Sequence, residues 1–121
     1  MGYRSDVVLA VDTKLVGNLL TALSQCQEAF NTLFTYADKD KGKDGSLLFR
    51  MSYVKWYDSY KPVQTIEDWL NGVGELEIDG VDDPLDLVRF VRLGEEFGDT
   101  EEIGYYDGMG DIYPQQSIVI S

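Results

Sequence analysis

The chain has 121 residues, with 22 acidic side chains, 10 basic side chains, one cysteine and no histidine. This length fits one domain, expected over residues 1–121. Without histidine there is no imidazole base, Ser-His triad or histidine metal ligand, and one cysteine excludes an internal disulfide. The formal net charge of −12 argues against direct contact with nucleic acid or an anionic membrane surface.

The first residues are not typical of a targeting segment. Asp6 interrupts the apolar run that a secretory signal needs, and it also stands where a myristoylation motif needs serine or threonine. The run Val7–Val11 is far shorter than the roughly 20 residues of a membrane span. We therefore expect a cytoplasmic location, which also fits the lone Cys26.

The first half of the chain predicts a strand, a long helix and a second strand. The valine-rich run Asp6–Asp12 is typical of a buried strand. Apolar residues at steps of three and four then predict one amphipathic helix over Thr13–Tyr36. A polar loop follows over Asp38–Gly45, and aromatic and branched residues predict a strand over Leu47–Tyr57.

The second half predicts a helix and a hairpin. Apolar residues at helical spacing predict a helix over Val63–Val73, just after a proline suited to a helix start. Alternation predicts a half-buried strand over Leu85–Leu93, and Ile103–Tyr106 is expected to pair with it across an acidic turn. Ser117–Ser121 is a candidate for an additional edge strand.

The order β-α-β-α-β-β predicts an α+β fold. We expect a two-layer sandwich in which two helices pack on one face of a four-stranded sheet, or a five-stranded one if the C-terminal segment joins it. The other face of the sheet would then present polar and aromatic residues to solvent or to a partner.

The motifs predict no catalytic, cofactor or metal site. A calcium loop that starts at Asp38 puts Lys43 where glycine is needed, and one that starts at Asp40 puts Met51 where glutamate is needed. The glycines at 72–74 and 104–110 lack the lysine of a phosphate loop. Acidic pairs in solvated segments do not provide the two unlike environments of acid–base catalysis. A hydrolase that uses carboxylates and a divalent metal is kept as the last alternative.

Aromatic residues are candidates for protein contact, because tryptophan and tyrosine are enriched at interface hot spots. Trp56, Tyr57 and Tyr60 lie close together in the sequence, and for this group core packing and partner binding both stay open. Trp69 falls on the apolar stripe of the second predicted helix and is expected in the core.

The excess of negative charge lies in one half of the chain. Residues 1–60 hold seven acids and seven bases, whereas residues 61–121 hold the other 15 acids and three bases. Negative charge concentrated on one part of the surface can steer a basic partner towards it. A solvated acidic face without a partner explains the same pattern. The acids predicted to contact a partner are Glu95, Glu96, Asp99, Glu101 and Glu102.

Three sequence blocks resemble a group of small proteins encoded by bacteriophages and prophages. They are Met1–Val7 (MGYRSDV), Val54–Tyr57 (VKWY) with the helix at 62–70, and Arg89–Glu95 (RFVRLGE) leading into 99–102. The group has no settled activity, so the resemblance supplies no catalytic residues. It implies a mobile-element protein made inside a bacterial host cell.

The leading hypothesis is a non-enzymatic inhibitor that occupies the basic groove of a host nucleic-acid-binding protein, such as a CRISPR or other defence complex. Its carboxylates would stand in for phosphates, with Trp56, Tyr57 and Tyr60 as apolar contacts. The alternative is an assembly protein, a homodimer in its simplest form, that pairs through the open sheet face or the C-terminal edge strand.

Overall fold

The computed structural model describes residues 2–114 and 118–120. It confirms the predicted α+β fold, with a five-stranded antiparallel sheet, three α-helices and a separate two-stranded hairpin. Two hydrophobic clusters lie on the two faces of the sheet, and the helices cover the larger cluster.

The α-helices are amphipathic or short, and the first has a side-chain N-cap. The side chain of Asp12 accepts the backbone N–H of Lys14 at 2.8 Å and so caps the first helix. The indole N–H of Trp69 donates to Asn18 at 2.7 Å, which ties the third helix to the first. The helices are α1 (Thr13–Leu23), α2 (Gln27–Asn31) and α3 (Lys61–Gly72); a π-helical turn (Thr32–Tyr36) follows α2, and 3₁₀ turns occupy Val73–Glu75 and Pro84–Leu87.

The main sheet has the order β2-β3-β1-β4-β5, and every pairing is antiparallel. The central strand β1 alternates between the two faces, because Val7 and Leu9 pack under the helices while Val8 and Ala10 face the hairpin. The strands are β1 (Ser5–Val11), β2 (Asp38–Lys41), β3 (Leu47–Val54), β4 (Val88–Gly94), β5 (Thr100–Gly104), β6 (Ile112–Pro114) and β7 (Ile118–Ile120).

The predicted helix over Thr13–Tyr36 is wrong as one continuous element. It breaks at Ser24–Cys26, where Cys26 is extended with φ −151°, and resumes as α2 and the π-helical turn. Leu15, Leu19 and Leu23 before the break, and Ala29 and Leu33 after it, are all buried in one cluster. The apolar periodicity therefore marks the buried face on both sides of a bend.

The predicted polar loop over Asp38–Gly45 is also wrong in part. Asp38–Lys41 is the edge strand β2, whose side chains are all exposed. Its backbone pairs with β3, and Arg50 forms an ion pair with Asp40 at 2.7 Å. A fully charged strand gives no burial signal, which is why the sequence pattern predicts a loop there.

Three predicted strands have different bounds in the structure. The strand predicted over Leu47–Tyr57 ends at Val54, and that predicted over Leu85–Leu93 starts at Val88 after a 3₁₀ turn. The strand predicted over Ile103–Tyr106 runs instead over Thr100–Gly104.

The second face of the sheet differs from the expectation of an open surface. Ile118–Ile120 pairs with Ile112–Pro114 rather than with the main sheet, and Ser117 and Ser121 lie outside the described residues. This hairpin covers part of the face through contacts among buried and half-buried apolar side chains. The buried ones are Val8, Ala10, Leu48, Val91, Tyr106 and Ile112.

Candidate partner-binding surface

The turn between β4 and β5 carries the most exposed large apolar side chain of the described residues. Phe97 is 107% exposed, so its ring protrudes fully into solvent. Glu95 and Glu96 precede it and are exposed as well. An aromatic ring held outside the core has no stabilising role there, whereas aromatic rings are typical of interface hot spots.

Hydrogen bonds fix the backbone of this turn. The N–H of Gly94 donates to the carbonyl of Asp99 at 2.8 Å, and the N–H of Asp99 donates back to the carbonyl of Glu96 at 3.1 Å. Gly98 has φ +84°, a left-handed conformation that glycine adopts without steric strain. The turn therefore presents Phe97 from a defined backbone.

Tyr3, from the N-terminal segment, clamps the same turn. Its hydroxyl donates to Asp99 Oδ2 at 2.6 Å and accepts the N–H of Glu96 at 2.9 Å. Arg92 binds the other oxygen of Asp99 at 2.8 Å. The Arg92 guanidinium, with the Tyr3 hydroxyl, holds the pKa of Asp99 below its ordinary value, while the bond to Asp99 raises the pKa of Tyr3. Asp99 is therefore a structural anion that braces the turn.

The structure separates the five acids predicted as partner contacts. Asp99 and Glu101 share Arg92, with the Glu101 carboxylate 2.6 Å from its Nε atom. Glu102 pairs instead with Arg89 at 2.8 Å, next to the backbone of the C-terminal hairpin. Adjacent residues of a strand point to opposite faces, so β5 divides Glu101 from Glu102.

Glu95 and Glu96 are the predicted acids that remain in the exposed turn. The Glu95 carboxylate accepts the backbone N–H of Arg4 at 3.0 Å, which leaves its charge without a cationic side-chain partner among the described ion pairs. Glu96 is exposed and takes part in no described ion pair. Both residues directly precede Phe97 in the turn.

The aromatic group around Trp56 divides between core and surface. Trp56 is 6% exposed and lies 6.1 Å from the ring of Phe90, so it packs in the core. Tyr57 is half-buried and packs at 5.0 Å against Tyr60, which is 41% exposed. Of the two alternatives for this group, core packing therefore applies to Trp56. The Tyr60 ring is the one that a partner could reach. Trp69 is buried, as predicted.

Acidic pairs such as Glu67 and Asp68 are expected to be solvated, but in the structure Glu67 on α3 is half-buried and only Asp68 is exposed. Its Oε2 accepts the indole N–H of Trp56 at 2.8 Å. Burial raises the pKa of Glu67 above its ordinary value, whereas the hydrogen bond from Trp56 lowers it. The neighbouring Glu101 carboxyl raises the pKa further. With Asp58 and Asp68, these two glutamates line an open depression of about 350 Å³.

Replacing Glu67 by glutamine should raise the melting temperature at pH 7.5. A carboxyl whose pKa is higher in the folded than in the unfolded protein favours folding below its unfolded pKa, and this contribution disappears as pH rises through the folded value. Glutamine keeps an acceptor for Trp56 and removes the charge, so the gain should vanish near pH 4. Calorimetry at both pH values measures it.

Asp68→Asn is the control for the Glu67 substitution, because it removes the same charge from an exposed neighbour on α3. A lower melting temperature for Glu67→Gln at pH 7.5 would show that the bond from Trp56 to the charged carboxylate outweighs the effect of burial.

A second exposed aromatic residue lies next to the turn. Tyr53 is 64% exposed and has φ +58°, the one positive φ of a non-glycine residue in residues 2–114 and 118–120. It sits in a β-bulge, where the pairing of β1 with β3 shifts between Ser5 and Val7. Its N–H donates to Asp6 Oδ1 at 2.9 Å, and the Arg4 guanidinium lies 5.2 Å from its ring centroid.

Tyr53 and Phe97 border two adjoining cavities, both of which are shallow and open to solvent. A cavity of about 220 Å³ is lined by Arg4, Asp6 and Tyr53, and one of about 470 Å³ is lined by Phe97. Residues 93–95 line both cavities. We call this continuous region the turn surface; it consists of Arg4, Asp6, Tyr53, Leu93, Gly94, Glu95, Glu96 and Phe97.

Much of the remaining negative charge lies at the opposite end of β4. The segment 75–86 contains six acids and no base, and all six are exposed. This segment precedes the first residue of β4, whereas the turn surface includes the last two residues of β4 and the turn after them. The acidic excess is thus divided between two ends of the sheet rather than gathered on one face.

Phe97 is the feature of the turn surface that sequence reasoning missed. It lies within Gly94–Asp99, between glycines and acids, so neither apolar periodicity nor clustering with other aromatics marks it. A single large apolar residue in a turn that otherwise contains only glycine and acids was the available signal, because such turns are polar as a rule.

The described residues contain no group of three or more side chains that could hold a metal ion. Among them, no helix combines the length and apolar character needed to cross a membrane. No protein-family model matches the chain, and neither the curated proteins nor the solved structures include a significant match.

Proposed function

We propose that this protein acts by binding another protein through the turn surface, and that its partner is a basic host protein that itself binds nucleic acid. CRISPR complexes and other defence proteins belong to this class, and blocking the basic groove of such a protein would inhibit it. The proposal depends chiefly on Phe97, a fully exposed ring in a braced turn between carboxylates.

The chemistry of the turn surface supports a partner with an apolar pocket that has a basic rim. Phe97 supplies apolar area that would be desolvated on binding, and Glu95 and Glu96 supply charges for lysine or arginine. The protein as a whole carries a net charge of −12, which would speed its encounter with a basic partner. The same charge disfavours nucleic acid itself as the ligand.

The test uses the heparin-retained fraction of a bacterial lysate, which is enriched in proteins with basic grooves. Immobilised wild-type protein and its Phe97→Ser variant are exposed to this fraction, and the retained proteins are identified. We expect a protein that Phe97→Ser binds about 30-fold more weakly, as for loss of about 2 kcal/mol at a hot spot. Duplex DNA should compete for that protein.

Tyr36→Ser is the matched control, since Tyr36 is 76% exposed and precedes the opposite edge strand β2. It should bind like the wild type. The double variant Glu95→Gln/Glu96→Gln should weaken the dependence of affinity on salt. Equal retention of all proteins by wild type and Phe97→Ser, or an affinity that does not fall with salt, would refute the proposal.

A further inference from the structure

We infer that the cavity beside Tyr53 is a subsite for one cationic side chain, arginine or lysine, of the partner protein. The inference rests on the proposed function for its biological partner, but the subsite itself is a property of this chain. Three observations carry it: the conformation of Tyr53, the present position of Arg4, and the continuity of the cavity with Phe97.

The backbone of Tyr53 indicates that its side chain is needed at the surface. A non-glycine residue in the left-handed region carries a penalty, and glycine is the residue that suits such a bulge position. Tyr53 does not recover this penalty by packing in the core, because 64% of it is exposed. Strained residues of this kind cluster at functional sites.

Arg4 shows that the Tyr53 ring already accepts a cation. Its guanidinium carbon lies 5.2 Å from the ring centroid, within the range of a cation–π contact. The Glu95 carboxylate is bound to the backbone N–H of Arg4 rather than to its guanidinium, and Asp6 uses one oxygen for the N–H of Tyr53. A partner cation that displaces the Arg4 side chain would therefore meet a ring and two carboxylates.

The cavity is a direct extension of the surface around Phe97. Leu93, Gly94 and Glu95 line both the cavity beside Tyr53 and the cavity beside Phe97. A partner that covers Phe97 with an apolar pocket and has arginine on its rim would reach Tyr53. Phe97 would then supply affinity, whereas Tyr53 would select partners by the position of that cation.

The subsite can be tested with a defined probe, the peptide acetyl-Arg-Arg-Arg-amide, titrated into ¹⁵N-labelled protein. We expect chemical-shift changes at the backbone amides of Arg4, Asp6, Tyr53 and Glu95. Arg4→Ala should bind the peptide about threefold more tightly, because the ring is then free of its internal cation. Tyr53→Gly should lose at least threefold in affinity while staying folded, since glycine suits the backbone of the bulge.

Lys14→Ala controls for the change in net charge, because Lys14 is exposed at the start of α1 and lies away from the bulge. Shifts confined to the 75–86 amides, or equal affinity in Tyr53→Gly and wild type, would overturn the subsite. If Arg4→Ala and Lys14→Ala gain the same affinity for the peptide, the inference that the partner cation displaces the Arg4 side chain is wrong. Peptide binding at Tyr53 together with no Phe97-dependent protein partner would leave the subsite in place and refute the proposed function.

Discussion

Replacing Gly104 by alanine should lower the free energy of unfolding by about 3 kcal/mol. Gly104 ends β5 with φ +81°, and a Cβ atom there would clash with the carbonyl oxygen of Val88. The left-handed conformation alone disfavours alanine by about 1–2 kcal/mol, and overpacking adds about 1–3 kcal/mol. The contacted atom belongs to the backbone of β4, so it cannot move aside as a side chain would. Urea unfolding followed by circular dichroism measures the loss.

Gly17→Ala is the matched control for this prediction. Gly17 is an exposed position inside α1, and a Cβ atom there would meet nothing within 4 Å. Because alanine favours helix more than glycine, this variant should gain about 0.5–1 kcal/mol. If Gly104→Ala unfolds at the same urea concentration as the wild type, the close approach of β5 to Val88 does not exist in solution.

The buried elements of the fold were predictable, because burial leaves a periodic signal. The strand predicted over Asp6–Asp12 is β1 with a shift of one residue, and the helix predicted over Val63–Val73 corresponds to α3. The bend at Ser24–Cys26 left no such signal, since the residues on both sides pack into one cluster. Periodicity reports which face is buried rather than whether the axis is straight.

Elements held by backbone bonds and charges were not predictable in the same way. The strand β2 has no buried side chain, so it is held chiefly by its backbone ladder with β3, and the exposed pair of Arg50 with Asp40 adds little. Alternating Asp and Lys side chains on an edge strand disfavour pairing with a strand of another molecule, so β2 protects this edge of the sheet from aggregation. This edge offers no support for assembly by strand addition.

The five acids predicted as one partner-binding site do not form a single cluster in the structure. Counting charge along the sequence groups Asp99, Glu101 and Glu102, whereas the structure assigns them to the two arginines of β4. Strand β5 begins at Thr100 rather than Ile103, and this earlier start is what sends Glu101 and Glu102 to opposite faces. Glu95 and Glu96 then remain as the turn charges beside Phe97.

Replacing Arg92 by methionine should destabilise the protein by about 2 kcal/mol and loosen the turn that presents Phe97. The Arg92 side chain is 12% exposed and donates to Asp99, Glu101 and Ser5. Removing it leaves two carboxylates without their cation. The loss should fall below the roughly 3–5 kcal/mol of a fully buried pair, since both carboxylates keep 35% exposure and are partly hydrated.

The pH dependence separates the ionic contribution of Arg92 from its packing. Arg92 and Tyr3 lower the pKa of Asp99 in the folded protein, so the stability they provide is present above the unfolded pKa of about 3.9 and is lost as pH falls through the folded value. The difference between wild type and Arg92→Met should therefore narrow below about pH 4.

Arg92→Lys provides the graded comparison, because lysine keeps the charge but lacks the planar fork that reaches Asp99 and Glu101 together. It should lose about half as much stability as Arg92→Met. Amide hydrogen exchange at residues 95–99 should speed up in both variants, more so in Arg92→Met, because the turn loses its brace. Unchanged exchange with reduced stability would mean that Tyr3 alone holds the turn, and that Arg92 acts only through the sheet.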